Sequence, residues 1–370
     1  MEVNYEENNL VNLSNSILKY FGIKPFHNTL DVLDKELEEN KYKNVVLYVC
    51  DGLGYYNLKK VLKSNSFLKQ KNQNRKISSV FPPTTTAATT TLLSGLTPSE
   101  HHWFGWNMYF KDTDETTSLF LNLIKDSSTK SKLNVLDREY MNYKNIVDLI
   151  NENTNNLAYF AYPFSKDNKC LNIDDVNNRI KELTKKEGKK FIYAYIENPD
   201  KLMHKYGIFS QEVKKEIYNI NEKIEKLSQE LHDTLIIVTA DHGLIPTKSI
   251  ILSRDLKEMY DMLERTTSIE PRCVGIKLKK EIQKEEFINL YKKELLNDFK
   301  LLTVEKAIES HLFGLKDSIY LRDTIGDYLL IATNNIALFY DEKAPKFKAN
   351  HAGLSKEELE VPLIMIDCKL

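Results

Sequence analysis

Cysteine is scarce in this sequence of 370 residues: Cys50, Cys170, Cys273 and Cys368 are all there are, and no two stand in CxxC spacing. That excludes a disulfide framework and a thiolate zinc site, and it predicts small buried hydrophobes at these positions. Net charge is nearly absent too, because 52 basic and 53 acidic side chains leave a formal charge of -1. No surplus of either sign marks a surface for nucleic acid or membrane. Long apolar runs are missing, so nothing approaches the length of a membrane span. The start, "MEVNYEENNLVNLSN", is acidic and polar and has neither the basic residues nor the apolar core of a signal peptide. The expectation is a cytoplasmic chain. Internal repeats and low-complexity linkers are also lacking.

What is there is enough apolar residue, 42% of the chain, for one large α/β domain with an elaboration or for two ordinary domains. Short runs rich in β-branched and aromatic residues recur: "NVVLYVC" (44–50), "KISSVF" (76–81), "LAYFAY" (157–162), "KFIYAYIE" (190–197) and "TLIIVTA" (234–240). Amphipathic segments separate them. In "SQEVKKEIYNINEKIEKLSQEL" (210–231), Val213, Ile217, Ile220, Ile224 and Leu227 recur at three and four residues, which predicts a helix with one stripe on a sheet. Strands alternating with helices predict a mostly parallel sheet covered on both faces, a three-layer α/β sandwich. After residue 250 the pattern turns to strand, helix, short helix, strand, strand. We read residues 268–342 as a small α+β insertion, and residues 1–267 with 343–370 as the main domain. The last segment, "HAGLSKEELEVPLIMID", predicts a Ser-capped short helix and a strand that rejoins the main sheet.

The C-terminal ends of strands are where open α/β sheets bind ligands, and here each end carries a residue suited to a metal. Asp51 follows "VVLYVC", Asp200 and His204 follow the 190–197 run, Asp241 and His242 follow "IIVTA", and His351 lies in "ANHAG". Three carboxylates and three imidazoles spread over four segments suit zinc or a similar divalent ion in a catalytic rather than a finger-type site. Singly, each has an ordinary alternative. An Asp after a strand forms turns, and a pair four residues apart also occurs on solvated helices. Asp241-His242-Gly243 is the most informative piece, since two polar residues and a glycine make poor core but a good site rim. His27, His232 and His311 have no such context.

"SVFPPTTTAATTTLLSGLTP" (79–98) sets six threonines between a Pro-Pro pair and a glycine. Local propensity does not select such a run for a helix. A helix from about Thr85 to Ser94 would place its first hydroxyls where the positive helix end favours an anion. A hydroxyl held there beside a divalent cation can act as a nucleophile, while the remaining threonines cap and pack.

Together the residues resemble the alkaline phosphatase superfamily, in its nucleotide pyrophosphatase/phosphodiesterase (type I phosphodiesterase) branch. The matching pieces, in family order, are "CDGLG", "FPPTTTAATTTLLSGLTPSEH", "NPDKLMHKYG", "TADHG" and "NHAG", spanning residues 50 to 354. The resemblance implies an alkaline-phosphatase-like fold and a nucleophile ten residues before the glycine of "SGL", which falls on Thr85. It implies two divalent ions, Zn2+ first and Mn2+ as the alternative. One site would take Asp200, His204 and His351, and the other Asp51, Asp241, His242 and the Thr85 oxygen. The implied activity is hydrolysis of a phosphodiester or pyrophosphate bond in a small, nucleotide-type substrate. A phosphomonoesterase or phosphonate hydrolase of the same superfamily is the alternative, and a non-catalytic metal-stabilised module is the reading from another class. Nucleotide-hydrolysing members place an asparagine after "PSEH" to hold a phosphate oxygen. Here that position falls on Trp106 with Asn107 beside it, so either the register is displaced by one or an aromatic stands there. Absence of an arginine near the threonine run favours diesters, with Arg272 as a distant arginine able to reach the site or the leaving group.

Overall fold

The computed structural model describes residues 3–133, 143–163 and 170–368; the domain division read from the sequence extends past these limits to residues 1 and 370. Five strands form the main sheet in the order Ile364–Cys368, Thr234–Thr239, Asn44–Cys50, Lys190–Ile196 and Leu157–Ala161. The last four run parallel, and Ile364–Cys368 joins the edge antiparallel to Thr234–Thr239. Every residue of Asn44–Cys50, Lys190–Ile196 and Thr234–Thr239 is buried, as strands covered on both faces must be. The helix Gln211–Glu230 turns Val213, Ile217, Ile220, Ile224 and Leu227 inward, the stripe its spacing predicts.

Two expectations change. Lys76–Ser78 does not enter the main sheet; it pairs antiparallel with Glu360–Pro362 in a separate two-stranded sheet. The partner strand Glu360–Pro362 is itself only three residues long, so the pairing stops at Ser78, with the Ser79 N–H making one further bond to Leu359 O at 2.7 Å. Ser355 occupies the N-cap position of Lys356–Leu359, but its hydroxyl donates to Glu358 Oε2 at 2.6 Å instead of capping the backbone.

A second, antiparallel sheet has seven strands: Phe299–Thr303, Tyr328–Ala332, Cys273–Ile276, Ser268–Glu270, Asn107–Phe110, Glu115–Ser118 and Leu123–Ile124. It is wider than the 268–342 block, since three of its strands come from residues 107–124, just after the threonine-rich helix. One bridge, Ile269 to Asn107, joins the two halves. All four cysteines are buried and free. Among the described residues no helix is long and apolar enough to cross a membrane.

Candidate active site

The parallel sheet brings the C-terminal strand ends together, and the metal-type residues meet there. Asp51 directly follows Cys50, with Gly52 in the left-handed region at φ +71°. A side chain at Gly52 would also bring its Cβ to 2.8 Å from Asp200 Cβ, so glycine here lets the Asp51 turn and the Asp200 helix touch. Asp200 and His204 share one face of the helix Asp200–Tyr206, with Oδ2 and Nε2 3.4 Å apart. Asp241 Oδ1 accepts from the backbone N–H groups of Gly52 and His242, each at 3.0 Å. The rings of His242 and His351 stack at 3.9 Å between centroids, and His204 lies 5.2 Å from His351.

The threonine run forms the helix Thr85–Ser94, with Thr84 as its extended N-cap residue. Several of its buried hydroxyls find acceptors within the helix: Thr89 Oγ1 donates to Thr85 O at 2.6 Å and Ser94 Oγ to Thr90 O at 2.7 Å. The first three threonines point three ways. Thr84 Oγ1 donates to Glu270 Oε1 at 2.5 Å, and Thr86 Oγ1 is buried without a hydrogen-bond partner. Thr85 Oγ1 lies 3.1 Å from His242 Nε2 and 3.4 Å from Asp51 Oδ1.

Asp51 and Asp241 are buried and Asp200 is largely covered beside them, and their ion-pair partners among the described residues are histidines. Burial, reinforced by the charge of Asp241, pushes the Asp51 and Asp200 carboxyls well above the usual range. Burial also lowers the imidazoles, His204 to about 4 and His351 well below its ordinary value, so both are neutral at pH 7. His204 Nδ1 donates to Ala349 O at 2.7 Å and His242 Nδ1 to Gly243 O at 3.2 Å, leaving each Nε2 lone pair facing the carboxylates. Asp200 Oδ1, Asp241 Oδ2 and His351 Nδ1 are buried with no hydrogen-bond partner. Crowded carboxylates, neutral imidazoles and orphaned lone pairs fit divalent cations, which would satisfy all three conditions at once. Asp200, His204 and His351 bring ligand atoms within 4.8 Å of one another, and so do Asp51, Asp200 and His242. Asp200 thus belongs to both groups, and Asp241 Oδ2 is 3.6 Å from His242 Nε2 at the edge of the second.

A cavity of about 700 Å³ opens over this cluster, with Thr85, Asp200, His204 and His351 in its floor. Trp106 and Asn107 are both in its wall, but the Asn107 carboxamide oxygen is engaged by Ser118 Oγ at 2.7 Å. Arg272 does not reach it. That side chain is fully buried, with its guanidinium on both oxygens of Glu358, at 2.6 and 2.9 Å, and on the carbonyls of Asn334 and Ile336. Its charge is spent on a structural pair.

Three residues of the site were not singled out from the sequence. The Tyr195 hydroxyl donates to Asp51 Oδ2, and in a chain with 20 tyrosines nothing local marks this one. Lys125 enters the cavity wall and donates to Thr267 O and Oγ1 at 2.7 and 2.8 Å; burial lowers it to about 8. Glu270 lines the cavity with a carboxyl that burial raises to about 7; its only sequence signal is a carboxylate amid strand-forming residues.

No curated protein matches the sequence. Solved structures do: the murine ectonucleotide pyrophosphatase/phosphodiesterase 5, as an inactive threonine-to-alanine variant in complex with AMP, superposes with a TM-score of 0.67 at 15% identity, covering 88% of each chain. The human ectonucleotide pyrophosphatase/phosphodiesterase 5 gives 0.66 at 18% identity, covering 87% of each chain. At these identities the likeness establishes the fold, which is that of the alkaline phosphatase superfamily read from the motifs. The family model of type I phosphodiesterase / nucleotide pyrophosphatase matches residues 45–354, from the Asp51 strand through the His351 loop. The chain therefore belongs to the type I phosphodiesterase / nucleotide pyrophosphatase family of hydrolases.

Proposed function

We propose that this protein hydrolyses phosphodiester or pyrophosphate bonds of small nucleotide-type substrates, with Thr85 as nucleophile and two divalent ions, Zn2+ before Mn2+, as cofactors. The observation that carries the reading is the divergence of the three hydroxyls at the helix start: of Thr84, Thr85 and Thr86, it is Thr85 whose oxygen meets His242 and Asp51. Asp200, His204 and His351 would hold one ion, and Asp51, Asp241, His242 and Thr85 the other, with Asp200 near enough to serve both. Bound there, the ions would acidify the threonine hydroxyl, activate water and neutralise phosphoryl oxygens.

Thr85 Oγ1 attacks phosphorus in line as the bond to the leaving oxygen breaks. The hydroxyl proton passes through solvent to the leaving oxygen, the leaving group departs, and the phosphoryl group with its uncleaved ester stays on Thr85 until water hydrolyses it and restores the hydroxyl. Tyr195 steadies Asp51 by donating to the carboxylate oxygen that Thr85 does not face. His204 and His242 are held in one tautomer by their carbonyl partners. We assign residues 268–342 the part of a cap that selects substrates, supported by Glu270, Pro271, Leu338, Phe339 and Tyr340 in the cavity wall. The AMP held by the inactive murine neighbour supports a nucleotide as substrate. The test is a panel of a chromogenic phosphodiester, the matching monoester and a dinucleotide, each with zinc, manganese and magnesium. Faster turnover of diester and dinucleotide than monoester is expected. A preference for the monoester, or no turnover with any ion, would overturn the reading.

A further inference from the structure

Glu270 stands beside the reacting threonine without belonging to either group of metal-type residues. Its Oε1 accepts two hydrogen bonds at once, from Thr84 Oγ1 at 2.5 Å and from the Trp106 backbone N–H at 2.8 Å. The first donor is the N-cap residue of the helix that begins with Thr85, and the second is a wall of the cavity. One oxygen atom thus ties the helix start to the cavity wall, although Glu270 lies 186 residues from Thr84 and 164 from Trp106.

The bond from Thr84 has a consequence at the helix end. An N-cap threonine ordinarily turns its hydroxyl back onto the second or third N–H of its own helix. Thr84 has the extended backbone of an N-cap, φ -140° and ψ 151°, but makes no such bond, because its hydroxyl is drawn to Glu270. The first turn beside Thr85 is therefore left without its usual side-chain cap, and uncapped N–H groups at a helix start suit an anion.

The backbone that presents Glu270 is strained. Ile269 is fully buried at φ +69°, a region that a β-branched residue almost never occupies. The space that Ile269 fills exists because residue 105 is glycine: a Cβ there would come within 2.7 Å of Ile269 Cγ2 and 2.9 Å of its Cα. Such strain persists where the surroundings impose it, and here it sits next to the residue that touches both the helix start and the cavity wall.

We infer that Glu270 is a positioning residue for hydrolysis: through Oε1 it holds Thr84 off its own helix and locks Trp106, fixing the aim of the Thr85 hydroxyl and keeping the first helical turn open to the substrate phosphoryl group. The inference rests on Thr85 being the nucleophile. What it needs from Glu270 is an acceptor, not a proton, and that separates it from an acid–base role.

A double-mutant cycle on the metal-loaded enzyme tests it, with a chromogenic phosphodiester as probe. Glu270→Ala should lower kcat by roughly 30- to 100-fold with KM within about threefold, since misaim is felt in the transition state more than in binding. Glu270→Gln keeps an oxygen able to accept from both donors and should retain kcat within about threefold. Thr84→Val, which removes the hydroxyl but keeps the shape, should lower kcat in the same direction. The double variant Thr84→Val/Glu270→Ala should be no slower than Glu270→Ala alone, because the two changes cut one contact. Thermal melting of each variant separates misaim from misfolding, and Thr84→Val keeps the test alive if Glu270→Ala does not fold. Unchanged kcat in Glu270→Ala, multiplicative losses in the double variant, or Glu270→Gln as slow as Glu270→Ala would each overturn the positioning role. If instead Thr85→Ala remains active in the same assay, it is the nucleophile assignment that fails.

Discussion

Thr85 Oγ1 lies 3.1 Å from His242 Nε2, although 157 residues separate the two along the chain. The helix start that carries the threonine and the strand end that carries the histidine are brought together by the main sheet. That one contact distinguishes Thr85 from five other threonines in the same run.

Replacing Thr85 by alanine should abolish turnover, by on the order of a thousandfold or more, with little change in melting temperature. Thr85→Ser should keep part of the activity, because it keeps the oxygen and loses the methyl group that restricts its rotamer. Acid quenching followed by mass spectrometry should find the substrate's phosphoryl group, still carrying the ester that was not cleaved, on Thr85. The same group on Thr84 or Thr86 would show that the register is wrong.

Metal analysis of the saturated protein should return two divalent ions per chain, and fewer in an Asp241→Asn/His242→Gln variant. Unchanged stoichiometry in that variant would count against the ligand set.

Removing the ions should make stability fall as pH rises. In the metal-free protein Asp51 and Asp200 hold their protons to higher pH than they do unfolded, through burial and the charge of Asp241. The folded state then binds more protons than the unfolded state, so this contribution is present below about pH 4 and is lost as pH climbs through the raised values. Denaturation of chelated protein at several pH values checks it, and added zinc should flatten the slope. A chelated protein that gains stability between pH 5 and 8 would contradict the account.

Arg272 and Glu358 form a fully buried ion pair that also takes the Gly353 N–H at 2.8 Å, two residues beyond His351. Removing one partner leaves a buried charge alone, so Arg272→Ala or Glu358→Gln should cost about 3–5 kcal/mol in chemical denaturation. Metal affinity should weaken as well, since the His351 loop loses its anchor. An Arg272 variant with altered substrate preference and unaltered stability would instead place it at the substrate.

Glu100 should contribute to stability above its unfolded pKa of about 4.3 and lose that contribution as pH falls. Burial alone would raise its carboxyl, but bonds from His27 at 2.7 Å, the Thr97 N–H at 2.9 Å and Lys316 at 2.9 Å outweigh it and hold it well below the usual range. Glu100→Gln should therefore be less stable at pH 7, by on the order of 1 kcal/mol, with the difference shrinking in acid. A constant difference from pH 7 to pH 3 would rule this out.

Much of the fold is legible in the sequence because its signals are local. Alternation of apolar runs with amphipathic segments yields Asn44–Cys50, Lys190–Ile196, Thr234–Thr239 and Gln211–Glu230 nearly to the residue, whereas the helix Thr85–Ser94 is suggested only by the use its hydroxyls would have there. The motifs mark Asp51, Asp200, His204, Asp241, His242 and His351, since polar residues at the ends of buried strands are conspicuous by type alone.

Other features carry no local mark. Arg272 reads as a free cation until its partner 86 residues away is seen, and Glu270 as an ordinary strand residue until the helix start and Trp106 are found on its oxygen. Strands at 107–124 lie far in sequence from the 268–342 block, yet they extend the second sheet through a single bridge at Ile269. By itself the sequence determined the period of each element, two along a strand and 3.6 along a helix, and the chemical type of the residue at each strand end. Only the tertiary structure decided that the oxygen of Thr85, the threonine the motif spacing points to, meets His242, which carboxylates crowd together, and which arginine is spent in the core. Period and type are fixed by backbone geometry over a few residues, whereas these contacts arise where elements far apart in the chain are packed against one another.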